Sequence, residues 1–152
     1  MTGADGSSIR DERKRNSIPN DDPNRNNLIV TFYENSNYRL NIQLNCERQT
    51  NLCDVDQNVD VWIDFNDNGF DQSERRTGRF SPSNVNQFSG QFQMDISIPS
   101  IDRRYIQSGF HRMRVNVTPT EEYQRDCGYT QRAQTRDYTV NLIQKTTYQS
   151  NL

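Results

Sequence analysis

From residue 28 onward the chain alternates apolar and polar side chains in short runs. Tyr38, Leu40, Ile42 and Leu44 alternate with Arg39, Asn41, Gln43 and Asn45. Val59, Val61 and Ile63 alternate with Asp60, Trp62 and Asp64, and Phe88, Phe92, Met94, Ile96 and Ile98 continue the pattern until Pro99 ends it. Met113, Val115 and Val117 alternate with Arg112, Arg114 and Asn116, and Tyr138, Val140 and Leu142 with Asp137, Thr139 and Asn141. A period of two sends successive side chains to opposite faces, so each run reads as a strand with one buried and one wet face. Leu28-Ile29-Val30-Thr31-Phe32-Tyr33 adds an apolar, β-rich stretch, and no segment keeps the helical period of 3.6 beyond a turn or two. Six or more short strands with polar loops between them predict an all-β fold, an antiparallel β-sandwich of Ig-like or jelly-roll-like type.

Composition sets the limits of that sandwich. Only 31% of the 152 residues are hydrophobic, against ~45–50% in ordinary globular chains, a range that also counts glycine. The deficit is concentrated in residues 1–27, where Ile9 and Ile18 are the large aliphatic side chains among Asp, Arg, Asn, Ser and Gly. Such a stretch cannot bury enough surface to offset its ordering entropy, so a disordered tail is expected there. The domain is expected over 28–146, with 147–152 as a short C-terminal tail.

The net charge of −2 is made of interspersed signs, without the basic stripe of a nucleic-acid protein. No apolar run reaches the ~18–20 residues of a transmembrane helix, so no membrane insertion is expected. The first residues also lack the apolar segment of a signal peptide, so no export signal is visible in this chain. The cysteines point the other way. Cys46 and Cys53 flank the polar loop Glu47-Arg48-Gln49-Thr50-Asn51-Leu52, and two strand-end cysteines so spaced can close a disulfide. Two unpaired thiols are the alternative; a zinc pair is disfavoured by the single histidine and the lack of a second cysteine pair. A disulfide implies an oxidising, extracellular or cell-surface setting. Cys127 is left over, as a buried thiol or a link to another chain.

Chemistry is concentrated in Val61-Trp62-Ile63-Asp64-Phe65-Asn66-Asp67-Asn68-Gly69-Phe70-Asp71-Gln72-Ser73-Glu74. An apolar strand runs into a loop with oxygen-bearing side chains at alternate positions, a glycine for the bend and a closing carboxylate, which is how a short loop wraps a hard cation. Asp64 and Glu74 would supply carboxylates, Asn66 and Asn68 amide oxygens, Phe70 a backbone carbonyl, with Asp71 in reserve. All-oxygen ligands favour calcium over zinc or copper. Glu74 falls one position short of the EF-hand spacing and no helix pattern flanks the loop, so this is not an EF-hand. With two firm carboxylates the affinity should be weak, ~10⁻⁴–10⁻³ M. The competing reading is a plain turn, since Asn68-Gly69 is a type I′ hairpin signal; against it, Asp71-Gln72-Ser73-Glu74-Arg75-Arg76 looks too polar to be the returning strand.

The Val61–Glu74 segment, Arg112-Met113-Arg114-Val115, Cys127-Gly128 and Arg136-Asp137-Tyr138-Thr139-Val140-Asn141-Leu142 occur in that order. Together they resemble the GEVED domain, whose naming Gly-Glu-Val-Glu-Asp motif leads into a Tyr-Thr-Val strand. The resemblance spans roughly residues 37–143. It implies a β-sandwich module of secreted and cell-surface proteins with an acidic loop after a Val-Trp-Ile strand, an accessory domain without an established activity. The chain departs from the family in three places, one of them a spacing to Glu74 that is shorter than is usual for the family. The naming motif reads Gln134-Thr135-Arg136-Asp137, and Asn68 stands where an aspartate is expected.

The expected role is therefore a noncatalytic extracellular module with a weak structural calcium site, serving adhesion or recognition toward a protein or glycan partner that the sequence does not identify. A calcium-dependent carbohydrate-binding module is the alternative and needs exposed aromatics such as Trp62, Tyr33 or Tyr129. A hydrolase using Asp64 with Asp137 is the remaining reading and needs the two acids in one cleft. Strand parity places Trp62 away from Val61 and Ile63, packed on the other sheet or under a loop. His111, the lone histidine, is expected at the surface or a strand edge, with no nucleophile and acid to serve it. Arg112 and Arg114 share a face and are expected to pair with acids across strands. Asp137 is expected either to reach the metal loop or to accept backbone hydrogen bonds at a strand end. Asn116-Val117-Thr118 is a glycosylation sequon on an outward position, usable only in an exported chain.

Overall fold

A computed structural model describes residues 1–11, 28–45, 56–80, 89–120 and 134–146. The alternating runs become strands: β1 (Ile29–Tyr33), β2 (Ser36–Asn45), β3 (Gln57–Ile63), β4 (Arg75–Phe80), β5 (Ser89–Ile98), β6 (Gly109–Pro119) and β7 (Gln134–Ile143). They form a five-stranded sheet in the order β1-β7-β6-β3-β4 and a two-stranded sheet of β2 and β5. The fold is all-β and sandwich-like, as the alternation predicts. One pairing is not antiparallel: β1 runs parallel to β7, with Val30 opposite Val140 and Phe32 opposite Leu142. Parallel neighbours cannot be joined by a hairpin, and these two strands lie at opposite ends of the domain, so no short connection is required.

The core lies between the sheets. Val30, Phe32, Val59, Val61, Ile63, Met113, Val115, Val117, Val140 and Leu142 from the larger sheet meet Leu40, Ile96 and Ile98 from the smaller one. Burying side chains of this size contributes roughly 1.5–3 kcal/mol each. Phe32 stacks on Tyr38 at 4.5 Å between ring centroids, and Tyr33 N donates to Tyr38 Oη at 2.8 Å. These contacts fix the two-residue corner at Glu34 and Asn35, where Asn35 takes a left-handed φ of 51° that asparagine tolerates.

Both free edges of the larger sheet are protected. β4 carries Arg75, Arg76 and Arg79, and charge on an edge strand discourages pairing with another chain. β1 is covered by the start of the chain. Thr31 N donates to Ser7 Oγ at 2.9 Å, Ile9 joins the core, and Tyr33 Oη donates to the Asp5 carboxylate at 2.8 Å. Residues 1–11 therefore belong to the fold rather than to a disordered tail, because Ala4 and Ile9 find apolar surface and Ser7 satisfies the edge. Residues 12–27 and 147–152 lie outside the described residues.

β4 corrects one step of the sequence argument. Arg75–Phe80 does return as a strand, pairing antiparallel with β3 from Trp62↔Arg75 to Gln57↔Phe80. It does not alternate visibly because an edge strand has little surface to bury.

Candidate metal site

The loop between β3 and β4 begins at Asp64, whose backbone N–H donates to the Arg112 carbonyl at 2.9 Å. This extends the β3–β6 ladder by one residue and fixes Asp64 wholly out of solvent. The turn then needs left-handed backbone at Asp67 (φ 56°) and Gly69 (φ 104°). Asn68 is not left-handed, so Asn68-Gly69 does not form the type I′ turn that its sequence suggests. Gly69 N–H is directed at both oxygens of the Asp64 carboxylate, each at 3.2 Å. Asn66 Oδ1 accepts from Asn68 N at 3.0 Å, a local side-chain turn.

Asp71 caps the short turn Gln72–Glu74. Its Oδ1 accepts from Ser73 Oγ at 2.5 Å, Ser73 N at 2.7 Å and Glu74 N at 3.2 Å. The Ser73 hydroxyl and then the backbone N–H groups hold its carboxyl below the usual range. That cap turns Glu74 inward, where its Oε1 accepts from Phe65 N at 2.9 Å. Glu74 Oε2 is buried with no hydrogen-bond partner among the described residues. Burial chiefly pushes the Glu74 carboxyl up, and the nearby charges of Asp71 and Asp64 push the same way.

Of the six residues expected to hold an ion, Asp64 and Glu74 are thus directed inward at one end of the loop. Asp71 is engaged as a cap, and Asn66 and Asn68 are exposed. Two guanidinium groups lie over the Phe70 ring, Arg112 at 5.3 Å and Arg114 at 4.9 Å, and the ring tilts against Trp62 at 6.5 Å. Among the described residues no three His, Cys, Asp or Glu side chains converge as metal ligands. An ion here would be held by two carboxylates completed by amide and backbone oxygens. The orphaned Glu74 oxygen fits that chemistry, since a buried anionic oxygen without a donor is the group a hard cation satisfies.

Two residues around the loop were not part of the expected site. Arg112 Nη2 donates to Asp64 Oδ2 at 2.7 Å. His111 is buried, against the expectation of a surface position: its Nδ1 lies 3.1 Å from the Asp64 carbonyl oxygen and 3.3 Å from Asp67 Oδ1, and its Nε2 lies 2.8 Å from the Gln107 carbonyl oxygen. Its ring also meets Phe65 edge-on at 6.3 Å. The signal was present in the sequence, because His111 is in phase with inward-facing Met113, Val115 and Val117.

The other singled-out residues are accounted for structurally. Asp137 reaches neither the loop nor a strand end; it takes Arg114 in a bidentate pair at 2.7 and 2.8 Å, directly across β6–β7. That is the cross-strand pairing expected of Arg114. Trp62 is buried on the outer face under Phe70, with the Arg75 guanidinium 5.6 Å from its ring, which matches the packed reading. In the sequon, Thr118 is buried and Asn116 is bonded on both sides, donating to Thr118 Oγ1 and accepting from Thr135 Oγ1, each at 3.1 Å. It lies within the central strand β6 rather than on an accessible loop. Cys46, Cys53, Cys127 and Tyr129 fall outside the described residues, and with them the expected disulfide.

No curated protein matches this chain. A family model described as the GEVED domain matches residues 58–141, from β3 through the loop and on into β7. That span is more than half of the chain and contains both the candidate loop and the strands that position it, so the chain belongs to the GEVED domain family.

Proposed function

We propose that this GEVED domain is a noncatalytic module of an exported protein, in which the loop from Asp64 to Glu74 takes a weakly held calcium ion and the surrounding surface serves adhesion or recognition of a protein or glycan. The observation that carries the calcium reading is Glu74 Oε2, buried without a donor on a carboxylate whose other oxygen is held by the N–H of Phe65, the residue after fully buried Asp64. Asp64 and Glu74 would hold the ion, aided by Asn66, Asn68 and the Phe70 carbonyl once the turn closes on it. The ion would offset carboxylate repulsion and remove loop freedom. Export follows from affinity: a site of ~10⁻⁴–10⁻³ M fills only where free calcium is of that order, as outside cells.

The alternatives have less support. A carbohydrate platform needs exposed aromatics such as Trp62, Tyr33 or Tyr129; Phe70 and Arg75 cover Trp62, Tyr33 is bonded to Asp5, and Tyr129 lies outside the described residues. A two-carboxylate hydrolase needs Asp64 and Asp137 in one cleft, and each is held by its own arginine. No helix among the described residues is long and apolar enough to cross a membrane.

The test is thermal unfolding of chelator-treated protein with added Ca²⁺, with Mg²⁺ as control. Glu74→Gln is the blank, because Asp64→Ala would also remove the partner of Gly69 and Arg112. At ten times the dissociation constant the ion adds about 1.4 kcal/mol, a rise of about 3–6 °C for a chain of this size. Glu74→Gln should lose the rise and, without ion, should melt slightly above the wild type, because the orphaned charge is gone. No Ca²⁺-selective rise at several millimolar removes calcium from the reading.

A further inference from the structure

Asp64 has the environment of a metal ligand but already has a cation. Its carboxylate is 0% exposed, and a buried carboxylate needs a compensating charge. Arg112 supplies that charge in an unusual way. Its side chain is 66% exposed, and its guanidinium makes one hydrogen bond, Nη2 to Asp64 Oδ2 at 2.7 Å, while its plane passes over Phe70 at 5.3 Å. The neighbouring arginines are clamped. Arg75 binds Asp60 through both Nε and Nη2 with its side chain 13% exposed, and Arg114 grips Asp137 with two parallel hydrogen bonds. Arg112 therefore reaches a buried anion by one end only, from solvent, and can retreat without unpacking the core.

We propose that Arg112 is a built-in competitor for the calcium site: its guanidinium neutralises Asp64 in the ion-free loop, opposes the incoming ion, and leaves Asp64 when the ion binds. The inference rests on the calcium reading of the same loop. Asp64 and Glu74 both direct carboxylates into the loop, Asp64 toward the Gly69 N–H and Glu74 toward the Phe65 N–H, so the ion-free loop holds two acids. One guanidinium relieves Asp64 but leaves Glu74 Oε2 without a partner. A divalent ion satisfies both acids and makes the guanidinium redundant. Because coupling is reciprocal, a residue that the ion weakens is a residue that weakens the ion. Arg112 thus sets the low affinity, in addition to the Asn66 and Asn68 ligands. Even at the dielectric constant of water, a unit charge about 6 Å from a divalent ion opposes its binding by a factor of about ten.

The experiment is calorimetric titration of Ca²⁺ into the wild type and Arg112→Gln at low ionic strength, where the repulsion is least screened. Glutamine keeps a donor for Asp64 and loses the charge. Arg112→Gln is expected to bind at least about tenfold more tightly. Equal or weaker binding in Arg112→Gln, with the wild type still titrating, overturns the inference and leaves the calcium site standing: Arg112 would then only position Asp64. Absence of binding in both proteins overturns the calcium reading and this inference together. Should Arg112→Gln fail to fold, the wild type decides. On Ca²⁺ saturation the Arg112 side-chain Nε–H resonance is expected to move while that of Arg114 stays, and an unmoved Arg112 resonance refutes its release.

Discussion

Arg75→Ala should be among the most damaging single changes outside the apolar core. The Arg75 Nε and Nη2 atoms lie 2.8 and 2.7 Å from Asp60 Oδ1, and the Asp60 side chain is only 3% exposed. Removing the guanidinium leaves a charge in the sheet that water can reach only partly. Breaking such a pair costs about 3–5 kcal/mol, and the lower end applies here because the vacated space opens toward the β4 edge. Losing the guanidinium above Trp62 adds about 0.5–1 kcal/mol. The total, about 3–4 kcal/mol, corresponds to a fall in melting temperature of about 6–16 °C at roughly 2–4 °C per kcal/mol. Arg39→Ala is the control. Arg39 also bonds an aspartate, Asp95, at 2.9 Å, but both side chains are about 60% exposed, at 61% and 59%. Exposed pairs contribute about 0–1 kcal/mol. Urea unfolding followed by fluorescence reads both variants, since Trp62 is the single tryptophan and is buried beside Arg75. The Asp60→Ala, Arg75→Ala double variant should recover about 1–3 kcal/mol relative to the sum of the single ones. If Arg75→Ala costs no more than Arg39→Ala, burial does not decide the strength of these pairs and the argument fails.

Two further outcomes follow from backbone geometry. In Gly3→Ala, the new Cβ would lie 2.3 Å from the Thr31 carbonyl oxygen and 2.4 Å from Val30 Cγ2, so residues 1–11 must lift from β1; a loss of about 1–3 kcal/mol and faster hydrogen exchange at Thr31 N are expected, and unchanged exchange would mean that the segment is not docked. Asp102 accepts backbone N–H bonds from Ile106, Tyr105 and Arg104, and these, Ile106 first, hold its carboxyl below the ordinary range. A carboxyl depressed in the folded state contributes stability above its unfolded pKa, and that contribution is lost as pH falls through the folded value. The excess stability of wild type over Asp102→Asn should therefore shrink on acidification in pH-dependent urea melts, and a constant difference would contradict it.

What the sequence made legible, and what it hid, divides along a physical line. Strands that bury one face write that face into the chain, so β2, β3, β5, β6 and β7 are visible as alternation. β4 writes no apolar pattern, because Arg76, Thr77 and Arg79 are exposed at the sheet edge and Arg75 is partly buried as the partner of Asp60, so the run looks like loop. The candidate loop is half legible for the same reason. Asp64, Asn66, Asn68 and Glu74 are spaced locally and can be read, but their partners are chosen by strand register. Arg112 and His111 stand 48 and 47 residues from Asp64 and reach it only because β6 lies beside β3. No local pattern encodes that choice, although the parity of His111 with Met113 was a usable sign that it faces inward.

The low apolar content also has a structural explanation beyond short strands. The outer face of a one-sided sheet normally carries side chains for solvent. Here its centre is covered by the chain's own polar loop. Phe70 leaves the loop to lie on Trp62, with the Arg112 and Arg114 guanidinium groups over its ring, and Asp60 is closed off by Arg75 from the edge strand. Arginine stems and one phenylalanine thus do the covering that a second apolar layer does elsewhere. The loop that covers Trp62 is the loop that directs Asp64 and Glu74 inward. Any ion that tightens it must therefore also press Phe70 onto Trp62, and any perturbation of Arg112 must be felt there. The loop that closes over Trp62 and the site that would take an ion are one mechanical unit, and Trp62 emission reports on both.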